Sequence, residues 1–324
     1  MESATKEEWN SLWISSKGGV YQNWFFNEYY GKTKKPIKLV IRKENSPIAG
    51  IICYEKTIKT PLGKKIILEA HGNPIYKSES DLIEILREFK RISKNYFYGT
   101  IAPTILSDES KFVQEGYKKS SNHTITLNLS KSESELWSYL EKKSIRWGIN
   151  SAKKNNLSFS ISNKEDISNF IKIYKKTAED GNFTPEDGDF IKNLANTELS
   201  KLFLIRSKDK IIAGGLILLD FNKHTATLSL TASTPQGLKL QAMPFLYWNL
   251  ILYAKSQGFK IFDLGGYDSE ARGGEKTSNI NKFKERFGGE IREQAVFSTN
   301  SLYPVIRSLM KHLRFIKKLY KKSS

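Results

Sequence analysis

The sequence predicts an α/β protein with mixed sheets, built from two copies of one αβ unit. Predicted strands and helices alternate along most of the chain, as they do when helices pack against a sheet. Residues 41–50 and 205–214 lie in predicted hairpins with equal turn lengths, and five of their ten positions are identical. The same offset aligns the predicted strands at 96–101 and 260–264. Hairpin turns share composition, so coincidence is the alternative to a duplicated unit of roughly 160 residues, an ordinary domain size.

The first half of the chain is predicted to begin with helices and to continue as a strand meander. Two short helices within residues 5–30 carry tryptophans and other aromatic side chains expected in a core. Period-two runs separated by turn residues predict antiparallel strands at 37–43, 48–58 and 65–69. The remaining elements are a helix at 80–94, a strand at 96–101, a helix ending at Gly116 and a strand at 124–129.

The second half repeats this pattern with longer helices. Helices are predicted at 133–155, 165–179, 185–196 and 238–257, and strands at 157–161, 202–206, 211–219, 225–230 and 260–263. A strand ending at Phe297 precedes a last helix at 301–324. We therefore expect a first domain at 1–130, completed by the C-terminal helix 300–324, and a second domain at 131–299 that carries the catalytic site.

The chain is strongly basic, with 52 Lys and Arg against 34 Asp and Glu, a net charge of +18 and a pI near 9.6. Such a charge favours polyanions or anionic lipid headgroups as partners. A composition rich in lysine and asparagine also results from an AT-rich genome, so the charge alone does not name a partner.

The expected location is a reducing cytoplasm. Cys53 is the single cysteine, so no intrachain disulfide can form, and the polar N-terminus does not read as a signal peptide. The helix at 301–324 carries seven Lys and Arg and no acid. Its apolar face either closes the first domain or lies on the inner face of a membrane, and its cationic tip is a candidate for contact with RNA or anionic lipid.

The residue patterns support few kinds of catalysis. The histidines are scattered and no Cys-x-x-Cys or His-x-x-x-His spacing occurs, so we expect no metal site. The absence of a Gly-x-Ser-x-Gly motif and of a phosphate-binding lysine loop disfavours a serine nucleophile and ATP-driven ligation. No cofactor is expected. Direct acyl transfer remains, in which an amine attacks an activated ester or thioester and the protein stabilises the oxyanion.

A Gly-rich stretch in the second domain holds the best candidate for such a site. A predicted strand ends at Asp263, after which Gly265 and Gly266 permit a close turn. The next predicted helix carries Phe283 and Lys284. This order brings a carboxylate, backbone amides and a lysine near one crevice. The alternative is a tight turn with a core phenylalanine and a solvated lysine.

This stretch resembles the signature of the Fem family of peptidoglycan-bridge aminoacyltransferases. The shared features are Asp-Leu-Gly-Gly from Asp263, the Gly-rich loop after it, and Phe-Lys-x-x-Phe-Gly from Phe283. Arg146, Ala152 and Lys153 resemble a further segment of the family. The resemblance implies two tandem GNAT-like domains of the short type without a helical arm. It also implies transfer of an amino acid from aminoacyl-tRNA onto an amine of a cell-envelope precursor peptide.

The resemblance further implies roles for individual residues. Lys284 would bind the aminoacyl ester and act as the electrostatic catalyst that stabilises the developing negative charge. Asp263 would orient a group or accept a proton, or would only cap the following turn. The donor site would be lined by Phe283, Gly265, Gly266, Arg272 and Arg146.

Two alternatives stay open. A CoA-dependent N-acyltransferase on the same fold would need a pyrophosphate-binding loop, and residues 233–242 do not keep the spacing of that loop in GNAT acetyltransferases. A catalytically silent tandem-GNAT protein that binds RNA or a membrane would explain the charge without chemistry. The sequence names neither the transferred amino acid nor the acceptor.

Overall fold

The computed structural model describes residues 4–30, 34–60, 63–103, 109–271 and 276–309. The chain divides into two compact units, which we call unit 1 (Met1–Asn122 with Gln294–Ser324) and unit 2 (His123–Glu293). No helix in the described ranges is long and apolar enough to cross a membrane.

The first part of the chain forms the elements of unit 1. They are α1 (Lys6–Ser15), a 3-10 turn (Val20–Gln22), α2 (Trp24–Tyr30), β1 (Lys35–Lys43), β2 (Ser46–Thr60), β3 (Gly63–His71), β4 (Ile75–Tyr76), α3 (Glu79–Ser93), β5 (Gly99–Ala102), α4 (Ser110–Gln114) and β6 (Lys118–Asn128). The predicted order of helices, hairpin strands, helix, strand, helix and strand is confirmed.

The second part forms unit 2 and then returns to unit 1. Its elements are α5 (Glu133–Tyr139), a π-helical turn (Lys142–Arg146), α6 (Trp147–Lys154), β7 (Leu157–Ile161), α7 (Lys164–Gly181), α8 (Gly188–Ala195), β8 (Ser200–Ser207), β9 (Lys210–Asp220), β10 (Thr225–Ser233), α9 (Pro235–Lys239), α10 (Ala242–Ser256), β11 (Ile261–Tyr267), α11 (Lys276–Glu285) and β12 (Glu290–Ser298). The division between the units falls inside β6 and inside β12.

Each unit has a mixed sheet that contains a parallel pair. In unit 1 the strand order is β1-β2-β3-β5-β12-β6, with β4 beside β2, and β3 runs parallel to β5. In unit 2 the order is β6-β11-β10-β9-β8-β7, and β10 runs parallel to β11. Hairpins and single crossovers of this kind are what the α/β class predicts.

The two hairpins that share sequence also share register. The β1–β2 ladder shifts register between Ile41 and Arg42, and the β8–β9 ladder shifts between Ile205 and Arg206. In each case the shift sits at the repeated Ile-Arg dipeptide, two residues before the turn. Turn composition does not account for a bulge at the same place in both hairpins, because it affects the turn and not the ladder beyond it.

The repeated arginines have equivalent partners. Arg42 binds Glu8, the third residue of α1, at 2.8 Å, and Arg206 binds Asp166 at the same position of α7 at 2.6 Å. Both acids belong to capping boxes, with Thr5 and Asn163 as the N-cap residues. Each unit therefore fixes the start of one helix to its hairpin with the same arrangement.

The repeated glycines admit an aromatic ring from the same helices. A Cβ atom at Gly50 would lie 2.7 Å from the Trp9 ring, and one at Gly214 would lie 2.7 Å from the Phe170 ring. Any larger residue would push the helix off the sheet in either unit. The duplication predicted from the sequence is confirmed by these matched contacts.

The prediction of one continuous helix at 133–155 is wrong. The helix is interrupted after α5 by extended backbone at Leu140 and resumes through the π-helical turn into α6. The side chain of Arg146 donates from Nε to the Leu140 carbonyl at 2.8 Å and from Nη2 to the Ser138 carbonyl, and so satisfies the end of α5. The amide of Glu141 donates to the Arg286 carbonyl at 2.8 Å. The break depends on these contacts, which local periodicity does not record.

Two further predicted boundaries are corrected. The helix predicted at 238–257 is divided into α9 and α10 by Gln241, which has a left-handed φ of 61°. The division lets α9 lie against β9, where a Cβ atom at Gly237 would be 2.4 Å from the Ile212 carbonyl oxygen. The strand predicted to end at Asp263 continues to Tyr267, because β6 keeps pairing with it.

The predicted C-terminal helix is described only over residues 302–309. Within that range, Arg307 donates from Nη2 to the Ser121 carbonyl at 2.9 Å, and Tyr303 lies edge-on to Tyr98 with centroids 5.4 Å apart. Both contacts are internal to unit 1. The other basic residues of the predicted helix lie outside the described residues.

Candidate functional site

The site begins where two parallel strands of unit 2 separate. β10 and β11 pair only from Thr225 to Thr227, against Ile261 to Asp263. Directly afterwards both strands bulge, with register shifts between Leu228 and Leu230 and between Asp263 and Gly266. Bulges at the same level bend the strands apart, so backbone groups that would face each other need other partners.

Lys284 supplies one such partner. From α11 its Nζ atom donates to the carbonyl oxygens of Gly265 at 3.0 Å and Gly266 at 2.8 Å, and only 8% of the residue is exposed. An ammonium group has three N–H donors, and the third has no acceptor among the described residues. Burial lowers the pKa of Lys284 to about 8, while the negative charge of Asp263 acts in the opposite direction.

Asp263 stabilises the turn that presents these carbonyls. Its Oδ1 atom accepts hydrogen bonds from the Thr124 hydroxyl and, at 2.7 Å, from the Gly265 amide. Burial raises the pKa of Asp263, and the two hydrogen bonds and the Lys284 charge oppose the rise. Gly265 has a φ of 76°, a backbone conformation that residues other than glycine rarely adopt. The carboxylate therefore holds in place a turn that depends on glycine.

A cavity of about 540 Å³ opens between the separated strands and the helices α9, α10 and α11 of unit 2. Its walls are mostly apolar, and the charged residues among its described lining are Lys276 and Lys284. The lining residues are Leu228, Ser229, Leu230, Thr231, Leu238, Met243, Tyr247, Leu264, Gly265, Gly266, Lys276, Asn279, Ile280, Phe283 and Lys284. A volume in this range suits a small-molecule ligand or the reactive end of a larger one.

An aromatic group fixes α11 against this cavity. The ring of Phe283 lies edge-on to Tyr247 and Phe287, with centroid distances of 5.1 Å and 5.3 Å. Burial raises the pKa of Tyr247 to about 12, so its hydroxyl stays protonated at neutral pH. Because Phe283 precedes Lys284, this packing also sets the direction of the lysine side chain.

Hydrogen bonds join the end of β11 to α11. Asn281 donates from Nδ2 to the Asp268 carbonyl at 2.7 Å, and its Oδ1 accepts from the Asp268 amide at 3.3 Å. Tyr267 donates its hydroxyl to Glu285 at 2.8 Å. These contacts keep the helix in register with the glycine carbonyls that Lys284 reaches. No cluster of three His, Cys, Asp or Glu side chains suited to a metal ion occurs in the part of the chain that the structure describes.

The chain is similar to a known protein family and to several solved structures. Residues 141–276 match the family model of the acetyltransferase (GNAT) domain. Among solved structures, FemX is similar over 95% of this chain and 99% of its own, with a TM-score of 0.73 at 15% identity. The chain has a FemABX-like tandem GNAT fold. L-PGS from Bacillus licheniformis is also similar, with a TM-score of 0.64 at 15% identity over 96% of this chain and 98% of that one. No curated protein sequence matches the chain.

The matched acetyltransferase (GNAT) domain supports acyl transfer as the reaction class. The fold resemblance predicted from the signature stretch is thereby confirmed. The matched residues include the separated strands β10 and β11, whereas Asn279, Ile280, Phe283 and Lys284 of the cavity lining lie beyond the match. The group that is transferred and the molecule that receives it are a matter for proposal.

The fold of unit 2 brings together most of the predicted site residues. Gly265, Gly266, Phe283 and Lys284 line the cavity, and Asp263 lies directly behind the turn. Arg146 lies outside this lining, where its side chain caps α5, so its role in donor binding stays a prediction. Arg272 lies outside the described residues.

Sequence reasoning missed Thr124 and Tyr247. Thr124 lies more than a hundred residues from Asp263 along the chain, and only the pairing of β6 with β11 brings its hydroxyl to the carboxylate. The sequence analysis gives Tyr247 no role. It lies in α10 among mostly apolar, buried residues. A polar tip within an apolar helix was the one available signal.

We expect Thr124→Val to raise the pKa of Asp263 further, because the lost hydroxyl bond stabilises the carboxylate. The acidic limb of the pH profile of kcat should then move to higher pH, since protonated Asp263 no longer accepts the Gly265 amide in the same way. Thr126→Val is the control, as Thr126 is buried on the same strand without a hydrogen bond to Asp263 among the described contacts. Equal profiles for both variants would contradict the orienting role.

Proposed function

We propose that the chain is an aminoacyltransferase that joins an amino acid from aminoacyl-tRNA to an amine of a cell-envelope precursor peptide. The observation that carries the proposal is the buried Lys284 ammonium, which lines the cavity and donates to two backbone carbonyls, so that one of its three N–H donors has no acceptor among the described residues. The FemABX-like fold supports the same reading, because the Fem resemblance implies this reaction for a lysine at this position.

The reaction needs charge stabilisation more than proton transfer at the start. The acceptor nitrogen attacks the ester carbonyl carbon, a C–N bond forms, and negative charge develops on the carbonyl oxygen. The third N–H donor of Lys284 can stabilise that oxygen from a buried, preorganised position. The C–O bond to the ribose of tRNA then breaks, and the proton lost by the amine ends on the leaving oxygen.

The surrounding residues are assigned supporting roles. Phe283 fixes the direction of Lys284, and Gly265 and Gly266 supply the carbonyls that fix its end. Asp263 orients the glycine turn, since its Oδ1 already accepts two hydrogen bonds. Preorganisation of this kind matters because a displacement of about 1 Å in a catalytic group can cost about 10²-fold in rate.

The charge distribution supports a polyanionic donor. The net charge is +18, and the charged residues of the described cavity lining are lysines. Lys276 is exposed at the start of α11, at the outer part of the lining, whereas Lys284 is buried. A donor with phosphates outside and an acyl group inside would match this order.

A CoA-dependent N-acyltransferase is the second candidate. It is favoured by the family model that matches residues 141–276 and by the start of α10, where Gln241 makes no side-chain cap. A helix start without a side-chain cap suits a phosphate group, because the first backbone amides of a helix have no partner within it. Met243 of the same helix turn lines the cavity, so a thioester donor could enter from that side.

The experiment that separates the candidates offers both donors to the purified chain. Label transfer is measured from a pool of charged tRNA and, separately, from acetyl-CoA, with an envelope-precursor extract as the acceptor. Aminoacyl transfer predicts label in the precursor only from charged tRNA and loss of that label after ribonuclease treatment of the donor. Turnover of acetyl-CoA with no transfer from any charged tRNA would replace the proposal by the second candidate.

A further inference from the structure

The outer side of α6 and of the π-helical turn before it is basic and carries an exposed tryptophan. Trp147, Asn150 and Lys154 recur at helical spacing on the exposed side of α6, and Lys142 and Lys143 precede Trp147 by about one turn. We call these five residues the α6 stripe. The tryptophan is 57% exposed.

The charges of the α6 stripe are available to a partner. Lys142, Lys143 and Lys154 are exposed, and none of them has an ion-pair partner among the described residues. The nearby acid Glu141 is engaged by Arg286 at 3.3 Å and by the Ser144 hydroxyl. Elsewhere on unit 2 the exposed Lys176 of α7 is paired with Asp180 at 3.0 Å. The α6 stripe is therefore cationic without internal compensation.

An exposed indole between lysines is the combination that single-stranded nucleic acid binds. Bases stack on aromatic faces, and the backbone phosphates are held by cations on either side. Stacking tolerates any base, so such a surface does not require a particular sequence. A lipid surface would instead favour a continuous apolar face, and the neighbours of Trp147 on this side are polar or charged.

The position of the α6 stripe fits a strand that ends in the cavity. On its buried side, Gly148 lies so close to the start of α10 that a Cβ atom there would be 2.9 Å from Pro244. Met243, the residue before Pro244, lines the cavity. The segment before α6 is also tied to the end of α11 through Glu141 and Arg286. All of these contacts lie within unit 2, so the stripe is one helix away from the cavity wall.

We propose that the α6 stripe is the docking surface for the single-stranded 3′ end of the donor tRNA. This inference rests on the proposed function, and it adds the surface and the residues by which the donor is held. The indole of Trp147 stacks on an unpaired base, and the lysines on either side contact the phosphates that flank it.

The test measures binding of uncharged tRNA to the full chain at several salt concentrations. Trp147→Ala should weaken binding by about 5- to 150-fold, the range of one lost base stack. Lys143→Gln with Lys154→Gln should weaken binding and reduce the salt dependence, the slope of log K against log salt, by about 1 to 2. Because all three side chains are exposed, folding should be unaffected, and thermal unfolding verifies this.

Matched controls remove the same chemistry elsewhere on unit 2. Phe221→Ala removes an aromatic side chain that is 55% exposed in the β9–β10 turn. Lys172→Gln with Lys175→Gln removes two exposed lysines of α7. Both controls should bind tRNA as the unaltered chain does. If the controls and the stripe variants lose affinity equally, binding is diffuse and the assigned surface is wrong.

Two further outcomes separate this proposal from others. Loss of binding to vesicles of anionic phospholipid in the Trp147→Ala variant, with tRNA binding unchanged, would assign the surface to a membrane and overturn the proposal. If the stripe variants lose tRNA affinity but no charged tRNA serves as a donor, the docking surface stands and the aminoacyltransferase assignment fails.

Discussion

Replacing Lys284 by methionine is expected to lower the rate of acyl transfer by about 10²- to 10³-fold, the usual effect of losing one oxyanion donor. Methionine keeps an unbranched side chain that is one atom shorter, and the change removes all three N–H donors at the cavity lining. It also leaves the Gly265 and Gly266 carbonyls without their described donor, so unfolding should become easier by about 1–3 kcal/mol. The measurement is single-turnover transfer at a temperature where both proteins are folded.

Lys282→Met is the matched control for this prediction. Lys282 lies on the same helix two residues earlier and is exposed, so its loss should leave rate and stability almost unchanged. A Lys284→Met protein that is destabilised yet retains its rate would show that the lysine only replaces strand hydrogen bonds. That outcome would favour a catalytically silent protein or a different catalytic group.

The pKa of Lys284 gives this role a definite pH signature. A donor must be protonated, so kcat should fall as pH rises through about 8. The free energy of unfolding should instead rise with pH over this range. The folded pKa is depressed below the ordinary value of 10.5, so between about 8 and 10.5 the unfolded chain holds the additional proton and this group makes folding more favourable as pH rises. Activity that rises through pH 8 would instead indicate that neutral Lys284 acts as a base.

Gly265→Ala is expected to impair both stability and transfer. The left-handed φ of 76° costs an L-residue about 1–2 kcal/mol, and the added Cβ would lie 3.1 Å from the Leu228 carbonyl oxygen. Relief of that contact would move the Gly265 carbonyl that holds Lys284, with a rate loss of up to about 10²-fold. Chemical unfolding and single-turnover transfer measure the two effects.

The neighbouring glycine provides the control. A Cβ at Gly266 meets no atom within 4 Å, and Gly266 is not among the glycines with left-handed φ. Gly266→Ala should therefore cost little in either measurement. Equal losses in the two variants would mean that the glycine pair is sensitive as a whole, and the specific geometry assigned to Gly265 would be wrong.

The sequence by itself determined the repeated hairpins and the order of helices and strands around them. Ile-Arg and Ile-Ala-Gly recur because each unit needs the same bulge, the same arginine bridge to a capping acid and the same gap for an aromatic ring. In both units these requirements fix the same residue types at the same spacing. The strand, turn and helix around Asp263 and Lys284 were predictable because period and turn residues are local patterns.

The tertiary structure alone decided how the site is completed. Local patterns predicted one helix at 133–155 and a strand end at Asp263, and both are overruled by contacts from distant segments. The hydroxyl of Thr124 reaches Asp263, and the Arg286 carbonyl binds the amide that ends α5, across more than a hundred residues in each case. Side-chain period and turn composition depend only on residues that are close along the chain. Strand separation, the burial of Lys284 and the cavity depend on which strands pair, and that is settled by packing of the whole unit.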